Sequence, residues 1–319
     1  MNPSDRVEAA ILALVLMNIG TLILLCALGA LSLWYIARWY LLERARAQPG
    51  ESSLPGLTDC AIGFVTNFFD TLGIGAFAPT TAIFKLRRKP SDEQIPGTLN
   101  AGHALAVVTQ ALIFITAVTV DLTTLVGMIA AAVLGAWMGV GVVARLPRRA
   151  IQVGMGVALL ISALLFLSRN LGWMPGGGDA LVLHDGRLLF AIGVNFVLGA
   201  LMMLGVGLYA PCLILVSLLG MNPLAAFPIM MGACAFLMPI GGVRFMQVNR
   251  YSLRAALGLT IGGIPGVLAA AFLVKSLPTE WLRWLVTFVV LYAAVLMLHS
   301  AGTRPSAQVE VSQPPPRAR

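Results

Sequence analysis

Two ionisable side chains lie well inside long apolar runs of this sequence, away from the ends of the runs, where they could carry chemistry. Asp70 is in the run 58–83 and His103 is in the run 97–119. Burying a carboxylate in a bilayer costs about 2.5–3.5 kcal/mol on insertion scales, so an ionisable group at that depth is a candidate functional group. A carboxylate can carry a proton, and a histidine can titrate near neutral pH and donate to an anion. Both residues are therefore candidates for proton coupling.

Each of these residues also has a structural interpretation, which the sequence leaves open. Asp70 could cap a helix by accepting hydrogen bonds from the backbone N–H groups of Leu72 or Gly73. His103 could be a core histidine whose ring nitrogens form hydrogen bonds with neighbouring groups. Asn100 lies three residues before His103 on the same predicted helical face, which favours a cavity-lining role for the histidine.

The strongest pattern near Asp70 is an octapeptide that occurs twice. Residues 72–79 read LGIGAFAP, and residues 204–211, which lie 132 positions later, read LGVGLYAP. Each copy places two glycines and a proline inside an apolar run, so a break in the helix is predicted at membrane depth in both. Paired breaks in corresponding halves of a chain indicate the binding site of a transporter.

The two breaks are suited to anions. Each should end one half-helix and begin another, and helix N-termini attract anions through their unpaired N–H groups and the helix dipole. The alternative, in which the glycines only let helices pack closely, stays open. The predicted anion-binding residues are those of the breaks and the polar side chains near the first break: Gly73, Gly75, Pro79, Thr80, Asn100, His103, Gly205, Gly207 and Pro211.

The composition is that of an all-α polytopic membrane protein. The 319 residues are 59% hydrophobic and 11% charged, and the mean hydropathy is +0.90, which is far from the composition of soluble domains. Nine apolar runs are near or above the length that a helix needs to cross roughly 30 Å of hydrocarbon. The sequence lacks the alternation typical of membrane barrels.

The basic character of the chain, with a pI of about 9.9, does not indicate nucleic acid. Its Lys and Arg residues lie in short loops beside apolar runs, where they determine topology. The expected partners are the lipid bilayer and a small anion, and a homo-oligomer stays open. No cofactor or metal is expected, because the spans lack clustered ligands. They also lack paired carboxylates and Ser/His arrangements, so we do not expect an enzyme.

The duplication divides the chain into five parts. Residues 1–57 form an extra N-terminal transmembrane helix and a linker, and residues 58–167 form the first repeat. Residues 168–187 join this repeat to the second, 188–299, and residues 300–319 are expected to be a disordered tail. Each repeat is predicted to contain one broken segment and three transmembrane helices.

The distribution of basic residues favours re-entrant hairpins. If all nine runs cross the membrane, ten basic residues lie inside and eleven outside. If 58–83 and 188–218 instead return to the side from which they entered, sixteen of the twenty-one lie inside, with the N-terminus outside and the C-terminus inside. Each repeat then crosses three times, so the repeats are inverted, as in many transporters. Full crossing with a kink is the alternative.

Three segments of the first half resemble the TauE/SafE sulfite exporter family, also called the toluene sulfonate uptake permease family. They are DTLGIG at 70–75, TTAIFK at 80–85 and IPGTLNAGHAL at 95–105. The resemblance covers residues 58–299. It implies transport of sulfite, sulfonates or other small organic anions across a bacterial cytoplasmic membrane, in a direction that it does not fix.

Residues and resemblance together predict a secondary transporter of small, sulfur-containing oxyanions. The half-helix termini at the breaks would bind the anion, and Thr80, Asn100 and His103 would orient it. Asp70 or His103 would couple its movement to protons, and one repeat would rock against the other. A passive anion channel that uses the same helix dipoles is the alternative, and counterflow in proteoliposomes would distinguish the two.

Overall fold

The computed structural model describes residues 3–46, 54–173, 178–205 and 207–273, together with six isolated positions between 288 and 299. The described residues form ten α-helices and one short 3₁₀ helix, Pro223–Ala225, and no strand. The helices are α1 (Pro3–Arg46), α2 (Leu57–Thr71), α3 (Phe77–Arg87), α4 (Ile95–Ala117), α5 (Leu122–Val143), α6 (Arg148–Asn170), α7 (Asp185–Met202), α8 (Tyr209–Leu218), α9 (Ala226–Gln247) and α10 (Leu253–Leu273).

The predicted class, an all-α polytopic membrane protein, is confirmed. Seven helices of the described residues are long and apolar enough to cross a membrane: α1, α4, α5, α6, α7, α9 and α10. α2, α3 and α8 are shorter, because the predicted breaks divide their apolar runs. The last predicted span, 281–299, lies outside the described residues except at the isolated positions, and the tail 300–319 lies wholly outside them.

α4 and α9 form the centre of the bundle and pack against each other. Most of their residues are buried, although both are apolar enough to cross a membrane. α10 packs on α2 and α4, and α5 packs in the same way on α7 and α9. The two halves of the chain thus make the same pattern of contacts. In this pattern α2 corresponds to α7, α4 to α9 and α5 to α10.

Small residues bring these helices close together, as the sequence spacing Gly262-x-x-x-Gly266 predicts. A Cβ atom built on Gly262 would lie 1.8 Å from the carbonyl oxygen of Cys60 in α2. A Cβ atom built on Gly135 in α5 would lie 1.8 Å from the carbonyl oxygen of Phe196 in α7. The equivalent pairs α2–α10 and α5–α7 are therefore held by backbone contact across glycine.

The segment that holds α2 and α3 begins and ends at the same end of the bundle, here called the first end. Arg87 at the end of α3 lies 3.0 Å from Asp59 at the start of α2. Arg254 at the start of α10 pairs with the same carboxylate at 3.5 Å. The start of α4 lies there too, since the Ser252 N–H donates to Thr98 Oγ1 at 2.9 Å.

The segment that holds α7 and α8 likewise begins and ends at one end of the bundle, here called the second end. The Asn222 N–H, after α8, donates to the carbonyl of Ala180, before α7, at 2.8 Å. The Asp121 N–H at the start of α5 donates to the carbonyl of Leu181 at 3.1 Å. α4 leads from the first end to α5, so the second end is the opposite end of the bundle.

A buried carboxylate at the first end ties α3 to α6. Lys85 Nζ donates to both oxygens of Asp92, at 2.8 and 2.9 Å, and Gln152 Nε2 donates to Oδ2 at 2.7 Å. Burial raises the pKa of Asp92, but the hydrogen bonds from Lys85 and Gln152 and the charges of Lys85 and Arg148 outweigh it and lower the pKa. Asp92 is therefore an ionised anchor for the loop between α3 and α4.

Replacing Gly262 with Ala tests the glycine contacts. The added methyl group meets the Cys60 carbonyl, so we expect a loss of stability of about 1–3 kcal/mol, typical of overpacking. Thermal unfolding of the purified protein measures it. Gly193→Ala in α7 is the control, because its Cβ atom meets no heavy atom within 4 Å and alanine favours the helix. Equal melting temperatures for the two variants would contradict this packing.

Candidate functional site

Both predicted breaks interrupt a helix in the structure. α2 ends at Thr71 and α3 begins at Phe77, while α7 ends at Met202 and α8 begins at Tyr209. Gly73, Gly75 and Gly205 have φ values of 82°, 90° and 92°, a left-handed backbone that favours glycine. Pro79 and Pro211 lie in the first turns of α3 and α8, where the lack of a backbone N–H costs no hydrogen bond within the helix. The two half-helix N-termini are therefore built by equivalent residues.

The two breaks enclose a small cavity with a volume of about 20 Å³. This is room for roughly one water molecule. Its lining combines backbone from both breaks with side chains from α2, α4, α7 and α9: Asp70, Gly75, Ala76, Phe77, His103, Val107, Met202, Gly207, Leu208, Tyr209, Cys234 and Met238. The N-termini of α3 and α8 thus meet at one small cavity.

Asp70 is the acidic group of this site. Only 2% of the residue is exposed, its carboxyl accepts a hydrogen bond from Gln110 Nε2 at 2.9 Å, and it also interacts with the backbone N–H of Ala76. The Tyr209 hydroxyl donates to Gln110 Oε1 at 2.7 Å and also interacts with the Asp70 carboxyl. The carboxyl is thereby connected to α3, to α4 and, across the cavity, to α8.

The interpretation of Asp70 as a cap named the wrong donors. The N–H groups of Leu72 and Gly73 donate to the backbone carbonyls of Phe69 and Asp70, because α2 continues to Thr71 and these N–H groups complete its last turn. The Asp70 carboxyl instead reaches Ala76, the residue before α3. It therefore places a carboxylate at the N-terminus of the helix that follows the break, which is favourable for the helix dipole.

Gln110 is a site residue that sequence reasoning missed. It lies seven residues after His103, two helical turns along the same face of α4, and that spacing could have revealed it. Its Nε2 also donates to Thr71 Oγ1 at 3.0 Å, while Thr71 Oγ1 donates to the Asn67 carbonyl at 2.8 Å. The Thr71 proton is thus already used, which fixes the nitrogen of the Gln110 amide toward Asp70.

His103 lines the cavity and is also bonded within the core. Its Nε2 lies 3.1 Å from Thr80 Oγ1, and its Nδ1 lies 2.9 Å from Asn67 Nδ2 and 3.1 Å from Asn67 Oδ1. The residue is fully buried, and its ring centroid is 6.0 Å from that of Phe77 in the first turn of α3. The structure therefore places Thr80 behind the histidine ring, as its hydrogen-bond partner.

Asn100 is separated from the rest of the predicted set. Its Nδ2 donates to the Pro96 carbonyl at 2.9 Å, and its Oδ1 faces Gly241 of α9. It is not among the cavity-lining residues, because residues three apart on a helix are turned by about 60° from each other. That rotation directs Asn100 into the contact between α4 and α9 while His103 faces the breaks.

The glycines of each break have different surroundings. Gly75 and Gly207 line the cavity. A Cβ atom on Gly73 would lie 3.0 Å from the ring of Phe227, and one on Gly205 would lie 2.9 Å from Met155. Gly73 and Gly205 therefore shape each turn against neighbouring side chains, and Gly75 and Gly207 bring backbone to the cavity.

The polar side chains of the site are unequal between the halves. At the offset of 132, Asp70 corresponds to Met202, His103 to Ala235 and Gln110 to Gly242. The second half contributes Tyr209, whose counterpart is Phe77. Among the described residues, no group of three or more His, Cys, Asp or Glu side chains could hold a metal ion.

Fold and site define a polytopic membrane protein in which two broken helical segments meet at a small, mainly apolar cavity with one carboxyl group in its wall. The family model for the sulfite exporter TauE/SafE matches residues 8–166 and 188–319. The chain therefore belongs to the TauE/SafE sulfite exporter family, a family of membrane transporters, and the sequence resemblance is confirmed. Comparison with curated proteins and with solved structures gives no match.

A double-mutant cycle tests the link across the cavity. We expect Tyr209→Phe to lower the free energy of unfolding by about 0.5–1.5 kcal/mol through loss of the bond to Gln110, and Gln110→Leu to lower it by about 1–3 kcal/mol, because it leaves the buried Asp70 carboxyl short of a donor. Together they should cost less than the sum. Tyr40→Phe, at a residue that is 62% exposed, is the control and should be neutral. Additive losses in thermal unfolding would contradict the link.

Proposed function

We propose that this protein is a secondary transporter of small, sulfur-containing oxyanions such as sulfite or organosulfonates. The observation that carries the proposal is that the N-termini of α3 and α8 meet at one buried cavity. Membership of the TauE/SafE family supports the substrate class. The substrate would lie between Gly75–Phe77 and Gly207–Tyr209, with its charge at the positive ends of both half-helices.

Backbone donors suit an oxyanion of this kind. The first N–H groups of an α-helix have no partner within the helix, and Gly75 and Gly207 let the backbone approach a ligand without an intervening side chain. His103 lines the cavity, and the bonds of its two ring nitrogens to Asn67 and Thr80 would hold the ring in place beside the substrate. Asn100 bonds within α4 and faces Gly241 of α9, so it would not contact the substrate.

We also propose that the two halves form an inverted repeat in the membrane. The α2–α3 hairpin belongs to the first end of the bundle, and the α7–α8 hairpin belongs to the second end. The first end holds the basic loops near residues 85–89, 145–149 and 250–254, so the positive-inside rule favours the cytoplasm for that end. α1 would then begin outside the cell and end inside it.

Transport would alternate between two arrangements of these repeats. The cavity between the breaks has room for about one water molecule, so the described conformation is a contracted one. Entry of an oxyanion requires one hairpin to move away from the other, toward the end of the bundle from which it comes. Rocking of one repeat against the other provides this movement.

Asp70 is the better candidate for proton coupling of the two that the sequence offers. Its carboxyl lies in the cavity wall and bonds groups from both halves. The hydrogen-bond partners of His103 among the described residues are the neutral side chains of Asn67 and Thr80. A protonated imidazole in that position would lack an anionic partner, whereas a protonated carboxyl would be neutral.

Thermal stabilisation of the detergent-purified protein tests the proposed substrate class. Sulfite, thiosulfate and methanesulfonate should raise the melting temperature, because a ligand at 100 times its Kd contributes about 2.7 kcal/mol to the folded state. Acetate and chloride at equal ionic strength are the controls and should have smaller effects. Equal stabilisation by every salt, or by none, would contradict an oxyanion site.

Cysteine labelling in intact cells tests the inverted arrangement. In a background without the four native cysteines, Lys89→Cys and Leu224→Cys should react with a membrane-impermeant maleimide from opposite sides, since they follow α3 and α8 at opposite ends of the bundle. Leu224 is 59% exposed. Val248→Cys, exposed at the first end, is the matched control and should behave like Lys89→Cys. Labelling of residues 89 and 224 from one side would contradict the arrangement.

A further inference from the structure

We propose that the Asp70 carboxylate and the transported anion exclude each other, so that the anion binds together with a proton and the two cross the membrane in the same direction. The inference rests on the proposed function, because it concerns the same cavity. In this proposal the Asp70 carboxylate is an anion of the protein itself, and the substrate takes over its position at the helix N-terminus.

The first observation is that Asp70 already occupies the positive end of one half-helix. Its carboxyl and the backbone N–H of Ala76, at the start of α3, interact and line the same small cavity. This N–H is one of the groups that an incoming oxyanion would use. When Asp70 is ionised, α3 therefore has an anionic partner supplied by the protein itself.

The second observation is the size and charge of the space that remains. Asp70 and the backbone at Gly207–Tyr209 line one cavity of about 20 Å³, so an anion at the start of α8 would lie close to the carboxylate. The lining residues include no Lys or Arg. Two negative charges at short separation in a buried site are strongly unfavourable when no cation compensates them.

The other titratable groups that face Asp70 do not relieve the repulsion between its carboxylate and a bound anion. They are Tyr209 from α8, Cys234 from α9 and His103 from α4. Tyr209 and Cys234 are neutral or negative in every protonation state, so neither can balance a second anion. His103 is engaged by Asn67 and Thr80. Protonation of Asp70 itself is the change that removes a negative charge.

The surrounding hydrogen bonds accommodate a neutral Asp70. The Tyr209 hydroxyl donates its proton to Gln110 Oε1, so its oxygen can accept the O–H of a protonated carboxyl. Gln110 Nε2 can continue to donate to the other carboxyl oxygen. The N–H of Ala76 is then released for the substrate. Proton uptake thus exchanges the internal anion for the external one without leaving a buried polar group unpaired.

The second repeat indicates one proton per anion. Its position equivalent to Asp70 is Met202, so α8 has no corresponding carboxylate, and the cavity lining holds one acidic residue. A proton gradient across the membrane would therefore drive the anion toward the side of higher pH.

Binding of methanesulfonate to the full-length protein tests the inference, because this probe keeps a single negative charge at all the pH values used. Its affinity for the wild type should fall about tenfold per pH unit above the pH at which Asp70 titrates. Calorimetry in buffers of different ionisation enthalpy should show uptake of up to one proton per anion. Asp70→Asn, which mimics the neutral carboxyl, should bind without proton uptake and independently of pH.

Asp121→Asn is the matched control, since Asp121 caps α5 at the second end and asparagine caps equally well. It should retain the pH dependence of the wild type. Binding by the wild type without proton uptake, or with proton release, would overturn the coupling and leave the anion site intact. Failure of wild type and Asp70→Asn to bind methanesulfonate or sulfite at any pH would overturn the proposed function as well. The calorimetry of the wild type tests the proton coupling even if the Asp70→Asn variant does not fold.

Discussion

A helix that breaks inside the apolar part of a membrane exposes backbone groups for which lipid has no partners, and the rest of this structure depends on that constraint. The two breaks satisfy it by facing each other in the protein interior. α4 and α9 close the site from the sides, and glycines allow the turns. The N–H groups that the breaks expose are what an anion can use. In the proposed function, stability and anion binding would therefore depend on the same backbone.

The helix contacts are similar in the two halves of the chain, but the polar side chains at the cavity are not. Glycine contacts hold α2 to α10 and α5 to α7 in equivalent ways, so the packing is shared by both repeats. Asp70, His103 and Gln110 come from the first repeat, and Tyr209 from the second. The first repeat therefore supplies the carboxyl group, and side chains from both repeats belong to its hydrogen-bond network. A change at Asp70 would alter bonds that connect the two repeats.

The sequence was sufficient to predict the breaks, the close helix contacts and the burial of Asp70 and His103, because each depends on local composition or on a repeat visible in the chain. It could not predict the bond from Tyr209 to Gln110, which joins residues 99 positions apart and depends on how the hairpins meet. The spacing also placed Asn100 beside His103 on one helical face, whereas the turn of about 60° between them directs Asn100 toward α9 and His103 toward the breaks. Such details are set by tertiary packing.

Locating a bound anion directly is the decisive measurement. Selenite resembles sulfite in charge and shape, and its selenium gives an anomalous X-ray signal, so a crystal structure with selenite would place the atom without ambiguity. We expect one peak between Gly75–Phe77 and Gly207–Tyr209, with the Asp70 carboxyl moved away from the Ala76 N–H. A selenium peak at the basic first end of the bundle, with the contact between Asp70 and Ala76 unchanged, would contradict this expectation.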